Sequence, residues 1–400
     1  MKRLVALTLA SGWSLAMVAL SSVAEADPEQ AAALAQIKTF GGRVTVSKSP
    51  DHALRGVDLG DTKATDAALE NFQALRELQV LVLDYTKIGD SGLAHLRGSS
   101  QLRELRVDGT QVTDVGLEHL KRLSQLQVLT LQETKVSDAG LAYLQGLTEL
   151  RTLHLANTTI TDVGLGRLTG FARLRDLRLS LTQVTDRGLE HLKELKELRR
   201  LDLSLTEVTD AGLERLRGLQ QLSHLSLDDT KITDAGLAHL EGFGHLQVLC
   251  LTNTKISDAG LEHLQRLRQL QELCVDSCPV FGPGLRYLSA CRHLRRLDLS
   301  NTKLDDSALK HLEGLCELEI INLDCTQVTD AGLPHLQGLS QLRVLWLGNT
   351  KVTDAGLEHL HRLGRLEKLL LVETQVTDAG VAKLRQALPR CHISYWKITQ

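Results

Sequence analysis

The sequence predicts an α/β solenoid, a chain wound into near-identical coils that each contribute one strand and one helical turn. Three observations carry this expectation. Asp66, Asp90, Asp114, Asp138, Asp162, Asp186, Asp210, Asp234 and Asp258 recur every 24 residues, and the series resumes in register at Asp306, Asp330, Asp354 and Asp378. Leucine fills 84 of the 400 positions while aromatic residues make up 3%, unlike the mixed apolar core of an ordinary globular domain. Each unit also shows strand-like alternation followed by a helix-like stripe. Fourteen units run from Leu54 to Pro389 without insertion, with the consensus LxxLxLxxTxVTDAGLxHLxxLxx.

In chain order, residues 1–26 read as a secretory signal peptide. Lys2 and Arg3 precede an apolar run from Leu4 to Leu20, and Ala24-Glu25-Ala26 offers a small-residue cleavage site. The run is interrupted by Thr8, Ser11, Gly12 and Ser14 and is shorter than the ~20 apolar residues of a membrane span; retention as an anchor is the rival reading. Past it no segment could cross a membrane, so the expected location is outside the cytoplasm: periplasm, cell surface or medium. Residues 27–53 do not match the unit. Pro28 opens a helix to about Lys38, and Gly41-Gly42 turns into a strand at Arg43–Val46, together an N-terminal cap for a coil that would otherwise expose its core.

Inside the repeat, 54–389, LxxLxL places its leucines inward and the residue between them on an open sheet face. Threonine at the ninth place stacks on its neighbours, where its hydroxyl can satisfy the turn. Thr or Ser at the twelfth place is a good N-cap, and the Asp after it suits the helix dipole. Leucines at the sixteenth, nineteenth and twenty-second places form the stripe that seals the core. Glycine at the fifteenth place, in twelve of fourteen units, is expected to permit close backbone approach between coils. Residues 390–400 supply a C-terminal cap strand with Ile393 and Tyr395 inward.

The unit resembles the leucine-rich repeat family, whose signature is LxxLxLxx(N/C)xL, with Thr here in place of Asn or Cys. Its TDAGL segment is similar to 24-residue repeats of exported planctomycete bacterial proteins, and also to the cysteine-containing repeats of F-box adaptors. The resemblance implies a right-handed horseshoe with a parallel sheet on the concave face and short helices on the convex one. No F-box-like module precedes the repeats, so an adaptor role is only a remote alternative.

Composition narrows the function. A net charge of −3 from 46 basic and 49 acidic residues lacks the basic footprint of nucleic-acid binding. Eight histidines, His95, His119, His191, His239, His263, His311, His335 and His359, share one repeat position. A column with one His per coil is a surface habit rather than a set of converging metal ligands, so no metal or cofactor is expected. No GxSxG, HExxH, P-loop or GxGxxG motif occurs. Asp202, His224 and Ser226 share the open face without a pocket, so the chain reads as non-enzymatic. Cys250 and Cys274 share an outward strand position in consecutive coils, while Cys278 sits in the threonine column and Cys291 replaces an inward leucine. The tenth unit is irregular: Phe281 and Gly282 stand where the cap residue and the Asp should be, which reads as a remodelled helix start or a contact site.

The outward column varies from coil to coil, from Asp58 and Val82 through Arg106, His154, Arg178 and Asp202 to Trp346 and Leu370, while the inward positions barely change. That contrast suggests a recognition face. Arg106, His154, Arg178 and Arg200 form a basic-leaning field in the first half. Ile320, Val344, Trp346, Leu370, Val372 and Trp396 gather toward the C-terminus, with the only two tryptophans beyond residue 26. Aromatic anchors among aliphatics are typical of a binding hot spot. The expected function is an exported binding module for a protein or glycan partner; the alternative is a structural spacer of the cell envelope. A C-terminal tail folded back over the apolar cluster is the bland reading of that cluster.

Overall fold

A computed structural model describes residues 28–46 and 54–396. The expected signal peptide, residues 27 and 47–53 of the expected N-terminal cap and the last four residues lie outside the described residues.

Each coil repeats one local design. Three residues form a strand whose central leucine, and the leucine after it, are fully buried, as at Leu201 and Leu203. Two residues further on the backbone turns through the left-handed region, at Asn157 (φ 53°), Asn301 (φ 53°) and Asn349 (φ 52°) among others. Asn suits that conformation; Tyr85, Leu181 and Leu205 also adopt it, at roughly 1–2 kcal/mol each. The next residue is the buried threonine. Its hydroxyl donates to the carbonyl three residues back, at 2.6 Å for Thr206→Leu203 and Thr230→Leu227, which satisfies the turn as expected.

The chain then enters a short helical segment. Thr or Ser caps it by accepting from the N–H two residues on, at 3.2 Å for Thr113 and 3.3 Å for Ser137. In half of the coils the segment is a short α-helix passing into 3-10 geometry, such as Asp114–Leu117 followed by Glu118–Leu120; others, such as Gly260–Arg266, are wholly 3-10. The leucine spacing explains this. At three residues per turn, positions sixteen, nineteen and twenty-two fall on a single face, and Leu261, Leu264 and Leu267 are all fully buried.

The aspartate after the cap does more than face a helix dipole. Asp90 Oδ1 accepts the Thr113 N–H of the next coil at 2.8 Å, and its Oδ2 accepts the Thr113 hydroxyl at 2.6 Å. The same clasp joins Asp210 to Thr233, at 2.8 and 2.6 Å, and Asp330 to Thr353, at 2.8 and 2.6 Å. This also corrects the reason for the glycine column. A Cβ on Gly116 would lie 2.5 Å from Asp90 Oδ1, so in most coils the space is taken by the preceding coil's carboxylate rather than by its backbone. At Gly284 the closest crowding comes from backbone instead, that of Asp258, at 2.5 Å.

The coils group into two units, Met1–Asp176 and Leu177–Gln400. In the first, α1 (Pro28–Thr39) and β1 (Arg43–Val46) are followed by β2 (Leu54–Asp58), β3 (Val80–Val82), β4 (Glu104–Arg106), β5 (Val128–Thr130) and β6 (Thr152–His154). β1 runs antiparallel to β2, and β2 to β6 pair in parallel and in sequence order. α1 buries Ala33 and Ile37, and its Gln36 donates to the Ala67 carbonyl of the first coil. β7 (Asp176–Arg178) falls at the boundary. The second unit carries β8 (Arg200–Asp202), β9 (His224–Ser226), β10 (Val248–Cys250), β11 (Glu272–Cys274), β12 (Arg296–Asp298), β13 (Ile320–Asn322), β14 (Val344–Trp346), β15 (Lys368–Leu370) and β16 (His392–Ser394). These pair in parallel, each with the next. Ile393 is inward, as expected. Tyr395 is only half-buried and donates its hydroxyl to Asp378 Oδ1 at 2.9 Å.

Candidate interaction surface

The sheet face presents three rows: the first and last residues of each strand, and the residue two beyond. In the first unit the expected basic residues are partly neutralised. Arg106 Nε donates to Glu104 Oε1 at 2.6 Å, and His154 Nε2 lies 3.4 Å from Asp176 Oδ1. Thr130 on β5 stands between Arg106 and His154 in register and is buried. Arg178 and Arg200 belong to the second unit, where Arg200 is exposed.

The second unit brings most of the expected apolar cluster together. Ile320 and Val344 are register partners on β13 and β14, and Trp346 and Leu370 are partners on β14 and β15. All four are half-buried on the open face. Asn322 and Ser394 flank the Trp346–Leu370 row, and Lys368 and His392 continue the other. The Trp346 indole nitrogen is buried with no hydrogen-bond partner. Val372 sits in the third row. Trp396 is its counterpart in the last coil, since Asn349 N–H donates to the Val372 carbonyl and Glu373 N–H to the Trp396 carbonyl. Trp396 is 59% exposed and lines a cavity of about 570 Å³ with Leu371, Thr374, Val376, Thr377, Asp378 and Tyr395. The tail that would fold back over it, residues 397–400, lies outside the described residues.

One feature escaped the sequence reading: an acidic third row. Asp84 Oδ1 accepts the Asp108 N–H at 2.9 Å, and Asp108 Oδ1 accepts the Gln132 N–H at 2.8 Å. In the second unit Asp228 Oδ1 accepts the Thr252 N–H at 2.8 Å and Asp324 Oδ1 the Gly348 N–H at 2.6 Å. Burial, reinforced by Asp108, pushes the Asp84 carboxyl up to about 6. Burial likewise raises Asp228, Asp276 and Asp324, with Asp202 adding to it at Asp228 and Asp298 at the other two. The 24-residue spacing of Asp84 and Asp108 and the 48-residue spacing of Asp228, Asp276 and Asp324 were visible, but Thr252, Ser300 and Gly348 interleave and hide the row.

The histidine column faces neighbouring helical segments: His239 Nδ1 meets Arg217 at 2.5 Å and His263 Nδ1 meets Glu241 at 3.2 Å. Ser226 Oγ lies 2.8 Å from Ser204 Oγ and donates to Asp228 Oδ2 at 3.1 Å, while His224 Nδ1 meets Ser223 Oγ at 2.8 Å. Among the described residues no three His, Cys, Asp or Glu side chains converge as metal ligands, and no helix is long and apolar enough to cross a membrane.

Residues 59–235 match the family described as leucine-rich repeat region, and 290–312 match a further leucine-rich repeat family. The repeats are leucine-rich repeats. No curated protein matches the chain. Among solved structures, an internalin (InlF) of Listeria monocytogenes is 19% identical with a TM-score of 0.58, covering 94% of this chain and 97% of its own. A leucine-rich-repeat protein of Leptospira interrogans is 18% identical with a TM-score of 0.58, covering 81% and 91%. The functional domain of InlJ of Listeria monocytogenes, which includes a cysteine ladder, is 16% identical with a TM-score of 0.54, covering 84% and 71%. At such identities the likeness is one of fold, and the fold is the leucine-rich-repeat α/β solenoid.

Proposed function

We propose that this leucine-rich-repeat chain is a non-enzymatic, exported binding module whose sheet face recognises a protein partner, anchored by Ile320, Val344, Trp346 and Leu370. One observation carries the reading: four large apolar side chains stand together in adjacent strands on a sheet face that is polar at most other positions, and the indole N–H among them has no acceptor. A buried donor left unmade is costly, so docking that turns the indole N–H out toward a partner's carbonyl would relieve it. Val372 and Trp396 extend the apolar surface toward the C-terminal cavity. On the second unit Arg178 and Arg200 supply charge that steers rather than anchors, and Arg106 and His154 do so on the sheet face of the first unit. Export rests on residues 1–26 as a signal peptide, and residues 27–53 and 390–400 serve as caps. The solenoid fold shared with internalins supports a binding role, because extended repeat surfaces are commonly used so.

The experiment is affinity capture from the envelope and secreted fractions of the source organism, followed by equilibrium binding of the captured partner. Trp346→Ala is expected to weaken that binding by about 2 kcal/mol, while circular dichroism stays unchanged. Equal affinity for the wild type and Trp346→Ala would remove the site. Self-association with no other saturable partner would favour a structural spacer.

A further inference from the structure

Cys250 and Cys274 are register partners on β10 and β11, at the last residue of each strand on the open sheet face. Both thiols are free and half-buried, and their sulfurs are 3.8 Å apart. The two cysteines nearest in sequence have other work. Cys278 is buried and donates to the Leu251 carbonyl at 3.1 Å, and Cys291 is buried and donates to the Leu264 carbonyl at 3.5 Å. The sheet-face pair has chiefly itself, with Glu272 Oε1 3.9 Å from the Cys274 sulfur. Glu272 and Asp298 both press a negative field on Cys274, and Arg296 offsets part of it through a 3.4 Å contact with Glu272.

Two chemistries suit a thiol pair, a disulfide and a bridging ion, and strand geometry separates them. Parallel strands stand about 4.8 Å apart, and side chains at register-paired positions project side by side, so their Cβ atoms stay near that spacing. A disulfide prefers a Cβ separation of about 3.8 Å, which would require the strands to be drawn together. A tetrahedral ion with metal–sulfur bonds of about 2.3 Å holds two thiolates about 3.8 Å apart, the sulfur separation already present.

We propose that Cys250 and Cys274 form a two-thiol site for a thiophilic divalent cation of the zinc–cadmium class, bridging the ninth and tenth coils. Binding breaks two S–H bonds, forms two metal–sulfur bonds and releases two protons to solvent; nothing is oxidised or reduced. The exchange of two protons for one dication leaves the charge of the site unchanged, so the acidic surroundings that oppose a bare thiolate do not oppose the loaded pair. Solvent completes the coordination, with Glu272 within reach as a further oxygen donor. The ion needs deprotonated thiols, so uptake strengthens as pH rises. Asp298 and Asn322 separate the pair from Trp346 in register along the same row, so the site is independent of the proposed partner surface.

The test is a titration of the reduced, tag-free chain with Cd²⁺, read by thiolate-to-metal charge-transfer absorption and equilibrium dialysis. The expected result is one sulfur-bound Cd²⁺ and two released protons per chain. Cys250→Ser and Cys274→Ser should each remove the absorption and weaken uptake by about tenfold or more, with circular dichroism unchanged. Cys316→Ser and Cys325→Ser, at exposed positions, should leave both intact. Without any substitution, Cd²⁺ should protect Cys250 and Cys274 from alkylation while the exposed cysteines still react, as mapped by mass spectrometry. Charge-transfer absorption that survives in both serine variants overturns the proposal. So does a reduced wild-type chain that takes up no Cd²⁺ through sulfur, including one whose pair simply closes to a disulfide in air.

Discussion

At Gly236 the missing side chain reflects what the preceding coil has already placed there. A Cβ on Gly236 would overlap the Asp210 carboxylate that clasps Thr233. The sequence contains its own control. Alanine replaces this glycine only at Ala68 and Ala308; 26 residues before Ala308 the Asp is replaced by Gly282, and Ala68 is in the first unit, which no preceding unit supplies with an Asp. The pair is therefore coupled. Gly236→Ala alone and Asp210→Ala alone should each cost about 2–4 kcal/mol through lost charge-assisted bonds, whereas the double variant should cost less than the sum by about 1–3 kcal/mol. Denaturant unfolding of the four chains checks this; strict additivity would dissolve the coupling. Asp84 makes a second case. Its carboxyl titrates at about 6 in the folded chain, against an ordinary 3.8. Between those values the folded state keeps a proton that the unfolded state has released, so this residue's contribution falls as pH rises through that window and stays low above it. Asp84→Asn keeps an oxygen to accept the Asp108 N–H. It should be more stable than wild type near pH 8 by on the order of 1–3 kcal/mol, with the gap closing near pH 4. A pH-independent difference would mean that the carboxyl is not the cause.

The strand is where sequence and structure agree most directly, because side-chain direction alternates with a period that local pattern alone reveals. Leu203 is fully buried, and Leu203→Ala should cost about 2–5 kcal/mol. Its outward neighbour Asp202 accepts the Ser204 N–H at 3.0 Å. Asp202→Asn preserves an acceptor and should stay within about 0.5 kcal/mol. Equal losses in thermal unfolding would reverse the assignment of faces. The grouping of Ile320, Val344, Trp346 and Leu370 was legible for the same reason: a unit of fixed length sets register, so residues 24 apart must be strand neighbours. What was not legible lay in contacts between coils. The Asp and Gly columns were both plain in the sequence, yet only geometry shows that each carboxylate occupies the next coil's glycine space. The acidic row from Asp228 to Asp324 was masked by Thr252 and Ser300, which hold the same register. The settings of Tyr395 and Trp396, one half-buried and bonded to Asp378 and the other exposed, are not encoded by the repeat pattern either.

A solenoid draws its stability from nearest-neighbour interfaces, so one weak interface sets where it opens first. Within the second unit that interface is the one between 270–293 and 294–317. Asp258 still holds the tenth coil, accepting the backbone N–H groups of Phe281 at 2.9 Å, Gly282 at 3.0 Å and Gly284 at 2.8 Å. Phe281 thus replaces the threonine clasp with backbone donors alone. Gly282, at φ 121°, then offers no carboxylate to the eleventh coil. Asp305, which caps that coil's helix by accepting from Ser307 N–H at 3.0 Å, stands where Thr329 and Thr353 are clasped by Asp306 and Asp330. Native-state hydrogen exchange should accordingly find the Asp305 amide less protected than those of Thr329 and Thr353. Restoring the consensus with Cys278→Thr, Pro279→Lys, Phe281→Thr, Gly282→Asp and Pro283→Ala, together with Ala308→Gly to clear room for the new carboxylate and Asp305→Thr to give it a hydroxyl donor rather than a second carboxylate, should raise protection of the amide at position 305 by about tenfold or more, equivalent to one charge-assisted hydrogen bond of about 1.5–3 kcal/mol. The same cassette without Ala308→Gly should fail to do so, because the Ala308 methyl occupies the space the carboxylate needs. If protection at position 305 is unchanged in the full cassette, the aspartate clasp is not what ties coil to coil.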